Sequence, residues 1–332
     1  MKIVCFGELL LRLTAPDREL LLQSGRLDVC VGGAEGNVAV AIACLGHEAA
    51  MVSSVPENPL GEAAVRHLRA YGVDVSAVAR APGRMGLYFV SPASGVRPAS
   101  ITYDREHSSF ASAADYDWNR LLAGADLLHL SGVTPAVSDT ATKAAIAAAT
   151  AAKARGVQVS FDGNYRGQLW KKRNCDPKPI LLELVSQSDI LFGNYRDISL
   201  LLGREFSGEG EGRRREAALA AFEAFPALKT IASTARHTVD CDHHRLAARV
   251  DTREQGFQTE EVQLTGIVDR IGAGDAFAAG VLHGLLNGKD GSTAAQYGLA
   301  LACLKHGLPG DSCLFAQADI DGFLAGERDV RR

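Results

Sequence analysis

No apolar run in this 332-residue chain reaches the roughly 18–20 residues needed to cross a bilayer, so a membrane span is not expected. The amino terminus, MKIVCFGELL, lacks a signal-peptide cleavage pattern and runs straight into a strand-like stretch. An excess of positive charge is missing too: the net charge is −4, which leaves no basic footprint for nucleic acid. No Cys-x-x-Cys pair occurs. The seven cysteines, at 5, 30, 44, 175, 241, 303 and 313, are odd in number, widely spaced and mostly set in apolar runs. That pattern argues for reduced thiols acting as small apolar residues in the cytoplasm, rather than disulfides or zinc ligands. There is no internal repeat. What remains is an ordinary globular composition, 47% hydrophobic and 22% charged, long enough to bury a large core. Length alone suggests two domains at about 150 residues each. A single α/β domain over 1–332, with insertions, is the expectation adopted.

Short apolar runs of the kind that form buried strands recur along the chain: IVCFG (3–7), AAMVSSV (49–55), DLLHLSG (126–132), VQVSFD (157–162), DILFGN (189–194) and LKTIAS (228–233). Helical patterns separate them. EGNVAVAIACLG (35–46) puts Val38, Ile42 and Leu45 on one stripe, and LGEAAVRHLRAYG (60–72) closes on Gly72. The alanine-rich stretch 138–156 has a Ser/Asp start and a glycine stop. This alternation predicts a mostly parallel sheet with helices on both faces. Residues 15–33 and 85–110 break the pattern. They read as strands and turns, with SPASG as the turn between 87–91 and 99–105, forming a small inserted β-sheet lid. The glycine- and charge-rich segment 205–216 reads as an exposed loop.

One stretch carries chemistry. In VDRIGAGDAFAAGVLHG (268–284), Phe277, Gly280, Val281, Gly284 and Leu285 form a helical stripe, which places a helix start near 273–275. Two glycines on the stripe imply close packing against a neighbour. The first amides of such a helix have no partner and carry partial positive charge. Gly272 and Gly274 leave room beside them, so the turn suits an anion such as a transferring phosphoryl group. Asp275 then either caps the helix or takes a proton from a substrate hydroxyl. A Rossmann dinucleotide loop fits poorly, because Phe277 stands where its last glycine belongs. A second cluster, GGAEGN (32–37), also opens a helix. Amides of Gly33 and Ala34, with the Asn37 amide, suit the hydroxyls of a small polar ligand; an ordinary glycine turn gives the same pattern.

Strand alternation points Ile101, Tyr103 and Arg105 the same way. Arg105 offers a planar fork for a carboxylate and Tyr103 an aromatic wall, which suits a sugar acid; a surface arginine on an exposed strand is the alternative. Tyr88, on the other lid strand, adds to that wall. Arg166 follows a strand end, where α/β sheets place ligands, and suits phosphate or substrate carboxylate, or else a surface ion pair.

Together, GGAEGNVAVAIACLG (32–46) and DRIGAGDAFAAGV (269–281) resemble the two signatures of the ribokinase-like (pfkB) carbohydrate kinases, in that family's order and spacing. The resemblance implies a three-layer α/β fold with a β-sheet lid. It implies Asp275 as catalytic base and an anion hole built from Gly272, Ala273 and Gly274. VRPASITYDREHSSF (96–110), SFDGNYRGQLW (160–170), ACLKHGLPGD (302–311) and DVRR (329–332) are similar to the 2-keto-3-deoxygluconate kinase branch. That branch implies substrate contacts at Tyr103 and Arg105, and Asn164 and Arg166 near the phosphates. GNYRDISLLLG resembles an Asn-x-x-Glu element linked to magnesium, here Asn194 and Asp197. The aspartate is one methylene short, which a water-bridged Mg²⁺ absorbs; an asparagine cap followed by a solvated residue gives the same sequence. STARHTVDCDHHRL (233–246) has no glycine where many relatives have a glycine-rich turn, leaving Ser233, Thr234 and Arg236 as the nucleotide candidates. His243 and His244 beside Cys241 and Asp242 are crowded on a hairpin turn and are not expected to converge on a metal. The implied activity is ATP- and Mg²⁺-dependent phosphorylation of a small sugar acid, with a monovalent cation as an optional component and a homodimer formed through the lid. A neutral-sugar kinase of the same fold and a non-catalytic sugar-acid-binding regulator are the alternatives.

Overall fold

The computed structural model describes residues 1–327 and 329, so most of the DVRR segment, 330–332, lies outside the described residues. The strands are β1 (Lys2–Phe6), β2 (Leu10–Thr14), β3 (Asp28–Gly32), β4 (Glu48–Pro56), β5 (Val78–Ala81), β6 (Gly86–Ser91) and β7 (Ser100–Asp104). They continue as β8 (Leu127–Ser131), β9 (Gln158–Asp162), β10 (Ile190–Phe192), β11 (Thr230–Thr238), β12 (His243–Asp251), β13 (Gly256–Gln258) and β14 (Val262–Thr265). The main sheet runs β13-β12-β11-β10-β9-β8-β1-β4-β5, with β14 also paired to β12. From β11 to β5 every pairing is parallel, and the β12 pairings are antiparallel. The strand order diverges in both directions from β1. The carboxyl ends of β1, β8, β9 and β10 therefore open into the crevice where such sheets bind ligands.

The central strands are buried on both faces, which explains why they read as continuous apolar runs. Helices Ala34–Cys44, Pro59–Ala70, Ala273–Leu286 and Gly291–Lys305 pack on one face. Helices Asp139–Ala154, Pro177–Ser186, Tyr195–Leu202 and Gly210–Ala224 pack on the other. The two glycines of the 273–286 stripe serve that packing. A Cβ on Gly280 would lie 2.6 Å from the Tyr297 carbonyl oxygen, and one on Gly284 would lie 2.9 Å from the Ala294 Cα. Among the described residues no helix is long and apolar enough to cross a membrane.

A separate four-stranded sheet, β3-β2-β6-β7, forms the lid. Its β6–β7 hairpin falls where 87–91 and 99–105 predict it. Its first strand does not. The inserted segment was expected to begin at 15, yet β2 starts at Leu10, and 15–27 carry no strand. The apolar run of β1 continues almost unbroken into LLRL, so nothing local marks the change of sheet. The expected loop 205–216 is also shorter than predicted, because a helix begins at Gly210. Its arginines are tied down: Arg214 Nε donates to the Gly208 carbonyl, and Arg215 pairs with Asp251. The apolar stripe that would betray a helix starts only at Ala217.

Candidate active site

Helix Ala273–Leu286 starts on Gly272, whose φ is +81°. A Cβ there would collide with the Asp311 carbonyl oxygen, so both backbone and space require glycine. No side chain caps this helix. The Ala273 amide is drawn back to the Arg270 carbonyl at 3.3 Å. The amides of Gly274 and Asp275 have no main-chain acceptor among the described residues, and the space beyond Gly274 is open. The turn is thus an electropositive cradle.

Helix Ala34–Cys44 repeats the device. It starts on Gly33 at φ +136°, packed against the Glu8 carbonyl, with no side-chain cap. From its first turns Asn37 Nδ2 donates to Asp275 Oδ2 at 2.6 Å. One hydrogen bond therefore joins the two glycine motifs, 238 residues apart in the chain. Burial pushes the Asp275 carboxyl up to about 7; the Asn37 donor and Arg166 pull it down, while Asp311 and Glu35 push it further up. Asp162, at the end of β9, is pushed up to about 8 by burial and by the charges of Asp275 and Asp197, against Arg166. Asp197 is also raised, mainly by burial. The exposed Arg166 thus draws down three carboxylates, and Asp162 also feels the charges of the other two.

The structure brings some expected residues together and engages others elsewhere. Tyr103 lies beside Tyr88, ring centroids 6.3 Å apart. The Tyr88 hydroxyl is not free for substrate, since it donates to Asp311 Oδ2 at 2.5 Å. Arg105 is buried rather than a surface fork, and its Nε donates to Glu8 Oε2 at 2.6 Å. Its terminal Nη groups have no protein hydrogen-bond partner among the described residues. Asn164 takes a left-handed turn, φ 34°, and its amide donates to Asp162 Oδ1. Asn194 and Asp197 form a capping box: Asn194 Oδ1 accepts from the Arg196 amide and Asp197 Oδ2 from the Asn194 amide, both at 2.8 Å. The Asn194 oxygen is therefore spent on its helix. Asp197 is not a solvated residue, and its Oδ1 faces Gly163. Residues 233–238 continue β11 into a hairpin with β12. Thr234 and Arg236 share one face, opposite Ala248 and Leu246, and Ser233 points to the other face with Arg249.

Two buried acids and a half-buried one escaped the sequence reading. Glu8 follows β1 and keeps an unpartnered, buried Oε1 beside Gly86. Glu35 Oε1 accepts from the Ser131 amide (3.0 Å), the Ser131 hydroxyl (2.7 Å) and the Thr134 hydroxyl (2.7 Å). Asp162 is the third. Their one available signal was position at the carboxyl ends of predicted strands or in the first turn of a helix. No group of three His, Cys, Asp or Glu among the described residues is close enough to cage a metal ion. Asp162 and Asp197 instead suit a hard cation that keeps most of its waters. His243 is paired with Asp240, and His244 is buried with its ring against His306.

The profile of the pfkB family carbohydrate kinases matches residues 1–313. The chain is 30% identical over 330 residues to the 2-dehydro-3-deoxygalactonokinase of Haloferax volcanii, covering 98% of this chain and 97% of that protein. It is 29% identical over 333 residues to the 2-dehydro-3-deoxygluconokinase of Bacillus subtilis, covering 99% and 97%. The crystal structure of 2-dehydro-3-deoxygluconokinase from Thermotoga maritima superposes with a TM-score of 0.93 at 35% identity, over 98% of this chain and all of that one.

Proposed function

The chain belongs to the pfkB family of carbohydrate kinases, and on that premise we propose that it moves the γ-phosphoryl of ATP to a primary hydroxyl of a small sugar acid, the 6-hydroxyl of 2-keto-3-deoxygluconate. The observation that carries the reading is Asp275, oriented by Asn37 beside an uncapped helix start. Asp275 takes the hydroxyl proton as the oxygen attacks phosphorus. The amides of Gly274 and Asp275, at the turn through Gly272 and Ala273, receive charge on the transferring group, with Arg166 alongside. Gly33 and Ala34 offer amides to the acceptor's hydroxyls, and Tyr103 walls the sugar. Arg105, fixed through Nε by Glu8, presents its remaining nitrogens to the carboxylate, which a neutral sugar would leave unanswered. Thr234 and Arg236 border the nucleotide. Bound Mg²⁺ would neutralise phosphate charge, and Asp162 and Asp197 are the residues suited to hold it through water.

A cytoplasmic homodimer belongs to the same reading. Register places Leu13, Val29 and Phe89 on one face of the lid, and Val29 is 59% exposed, an apolar surface suited to a second copy.

A coupled ADP-release assay with Mg-ATP tests the reading. The acceptors are 2-keto-3-deoxygluconate, its galacto epimer, fructose and ribose, each with and without K⁺. Sugar acids are expected to turn over best. Arg105→Ala should lower kcat/KM on them by about 10²-fold, the scale of a lost charged hydrogen bond. A neutral sugar preferred by both proteins would overturn the substrate class, and no ADP above background would leave a binding protein.

A further inference from the structure

Arg12 lies in β2 of the lid, 5% exposed, between two acids that flank the catalytic turn. Its Nη2 donates to Asp269 Oδ2 at 2.5 Å, and its Nη1 lies 3.0 Å from Asp311 Oδ1. Each acid holds one wall of the turn. Asp269 Oδ1 accepts from the Ile271 amide at 3.0 Å, and Oδ2 accepts from the Gly310 amide at 3.2 Å. The Asp311 carbonyl occupies the space where a Cβ of Gly272 would be, and its carboxylate also takes the Tyr88 hydroxyl of β6. Two lid strands therefore grip both sides of the loop that ends in the uncapped helix start. Burial alone would lower the affinity of Arg12 for its proton, but Asp311 and Asp269 raise it, so the guanidinium stays charged. A buried ion network of this kind holds only while every member is in place, because removing one leaves uncompensated buried charge. Among the described residues no hydrogen bond joins Arg12, Asp269 or Asp311 to Asp275, whose side chain bonds to Asn37; the network reaches it only through the charge of Asp311.

We propose that Arg12 is a positioning residue that couples lid docking to the anion-binding turn, aiming the amides of Gly274 and Asp275 only while the lid strands are seated. Lid closure and completion of the anion hole are then one event. Water would meet a finished site only when the acceptor has brought the lid down, which limits wasteful hydrolysis.

The test uses the full chain with Arg12→Met, which keeps the stem and loses the fork, and Arg12→Lys, which keeps the charge but cannot span both acids. Amide hydrogen exchange is followed by mass spectrometry. Peptides covering 268–276 are expected to exchange at least about tenfold faster in Arg12→Met, with helix Asp139–Ala154 unchanged and Arg12→Lys intermediate. Unchanged exchange at 268–276, or a rise of equal size everywhere, overturns the proposal whatever the catalytic result. The kinetic arm rests on the phosphoryl-transfer reading. There kcat falls by about 10²-fold while KM for the acceptor moves less than about threefold, and added guanidinium ion restores part of the loss. A drop in thermal stability with kcat intact would make Arg12 merely structural. If Arg12→Met fails to fold, the exchange pattern of Arg12→Lys decides alone. A wild-type protein inactive on every sugar sinks the reading of function but leaves the exchange arm decisive.

Discussion

Helix starts differ in this protein, and a glycine cap at positive φ sets two of them apart from the others described. Away from the cleft, several helices spend their free amides on a side chain, although helix Gly210–Ala224 has no side-chain cap. Asn58 Oδ1 accepts from Leu60 and Gly61, Ser138 Oγ from Ala141, and Asp290 Oδ1 from Thr293. At the cleft, helices Ala34–Cys44 and Ala273–Leu286 start on glycines at positive φ with no side-chain cap. Leaving a cap out costs roughly 1 kcal/mol of stability. The return is a pair of main-chain donors kept free for a ligand. Asp275 sits in the first turn of such a helix, yet its carboxylate bonds to Asn37 rather than to its own amides. Asn194 and Asp197 stand between the two kinds: a capped helix start whose cap contains a half-buried acid with a raised pKa, set beside Gly163.

The comparison breaks most visibly if the uncapped turn is filled. Gly272→Ala drives a methyl into the Asp311 carbonyl and forces an alanine to φ +81°. Loss of kcat by about 10³-fold is expected, the upper range for an anion-hole defect. Asp275→Asn keeps the shape and removes the proposed base, with an expected loss of about 10²–10⁴-fold. Circular dichroism would confirm that both proteins fold. Turnover of Gly272→Ala within tenfold of wild type would show that the open helix start is incidental.

The next effect is on pH. As the proposed base, Asp275 would act only when unprotonated, so kcat/KM should climb with pH up to about 7 and level off above it. Asp162, near 8 and coupled to it, broadens the rise. Asn37→Ala deletes the donor that holds Asp275 down, so the midpoint should move to higher pH. Stability runs the other way. The folded-state pKa lies above the ordinary 3.8, so the stabilising contribution of Asp275 is full below about 4 and is lost as pH rises to about 7. Asp275→Asn should therefore melt a few degrees higher than wild type at pH 8 and show no gain at pH 4. A pH-independent difference in melting would contradict the strained carboxylate.

Most of the main sheet was legible because buried parallel strands are apolar throughout and the intervening helices carry their own stop signals. Gly280 and Gly284 announced the helix contact they make, since a glycine on an apolar stripe has few other uses. The pairing of Asn37 with Asp275 was visible only as two separate motifs. The rest depended on partners far away in the chain. Arg105 meets Glu8 across 97 positions, Tyr88 meets Asp311 across 223, and Arg12 meets Asp269 across 257. No local pattern encodes such meetings, so Arg105 and Tyr88 read as free contacts and Arg12 did not register at all. The lid boundary failed for a related reason: an apolar run states that a strand is buried, not which sheet buries it.

The smallest effect sharpens the contrast from the capped side. Asp290 starts helix Gly291–Lys305, which packs along helix Ala273–Leu286, and its hydrogen bond from the Thr293 amide is 2.8 Å long. That bond pulls its carboxyl below the usual range. Asp290→Ala removes the cap and should lower the melting temperature by about 2–4 °C at pH 7 without changing kcat at 25 °C. Asp290→Asn, which caps without charge, should restore most of the loss. The Ala deficit should shrink as pH falls through the depressed carboxyl pKa, because a protonated Asp290 caps poorly in wild type as well. Were Asp290→Ala to lower kcat as strongly as Gly272→Ala does, the two kinds of helix start would not divide the labour between scaffold and site.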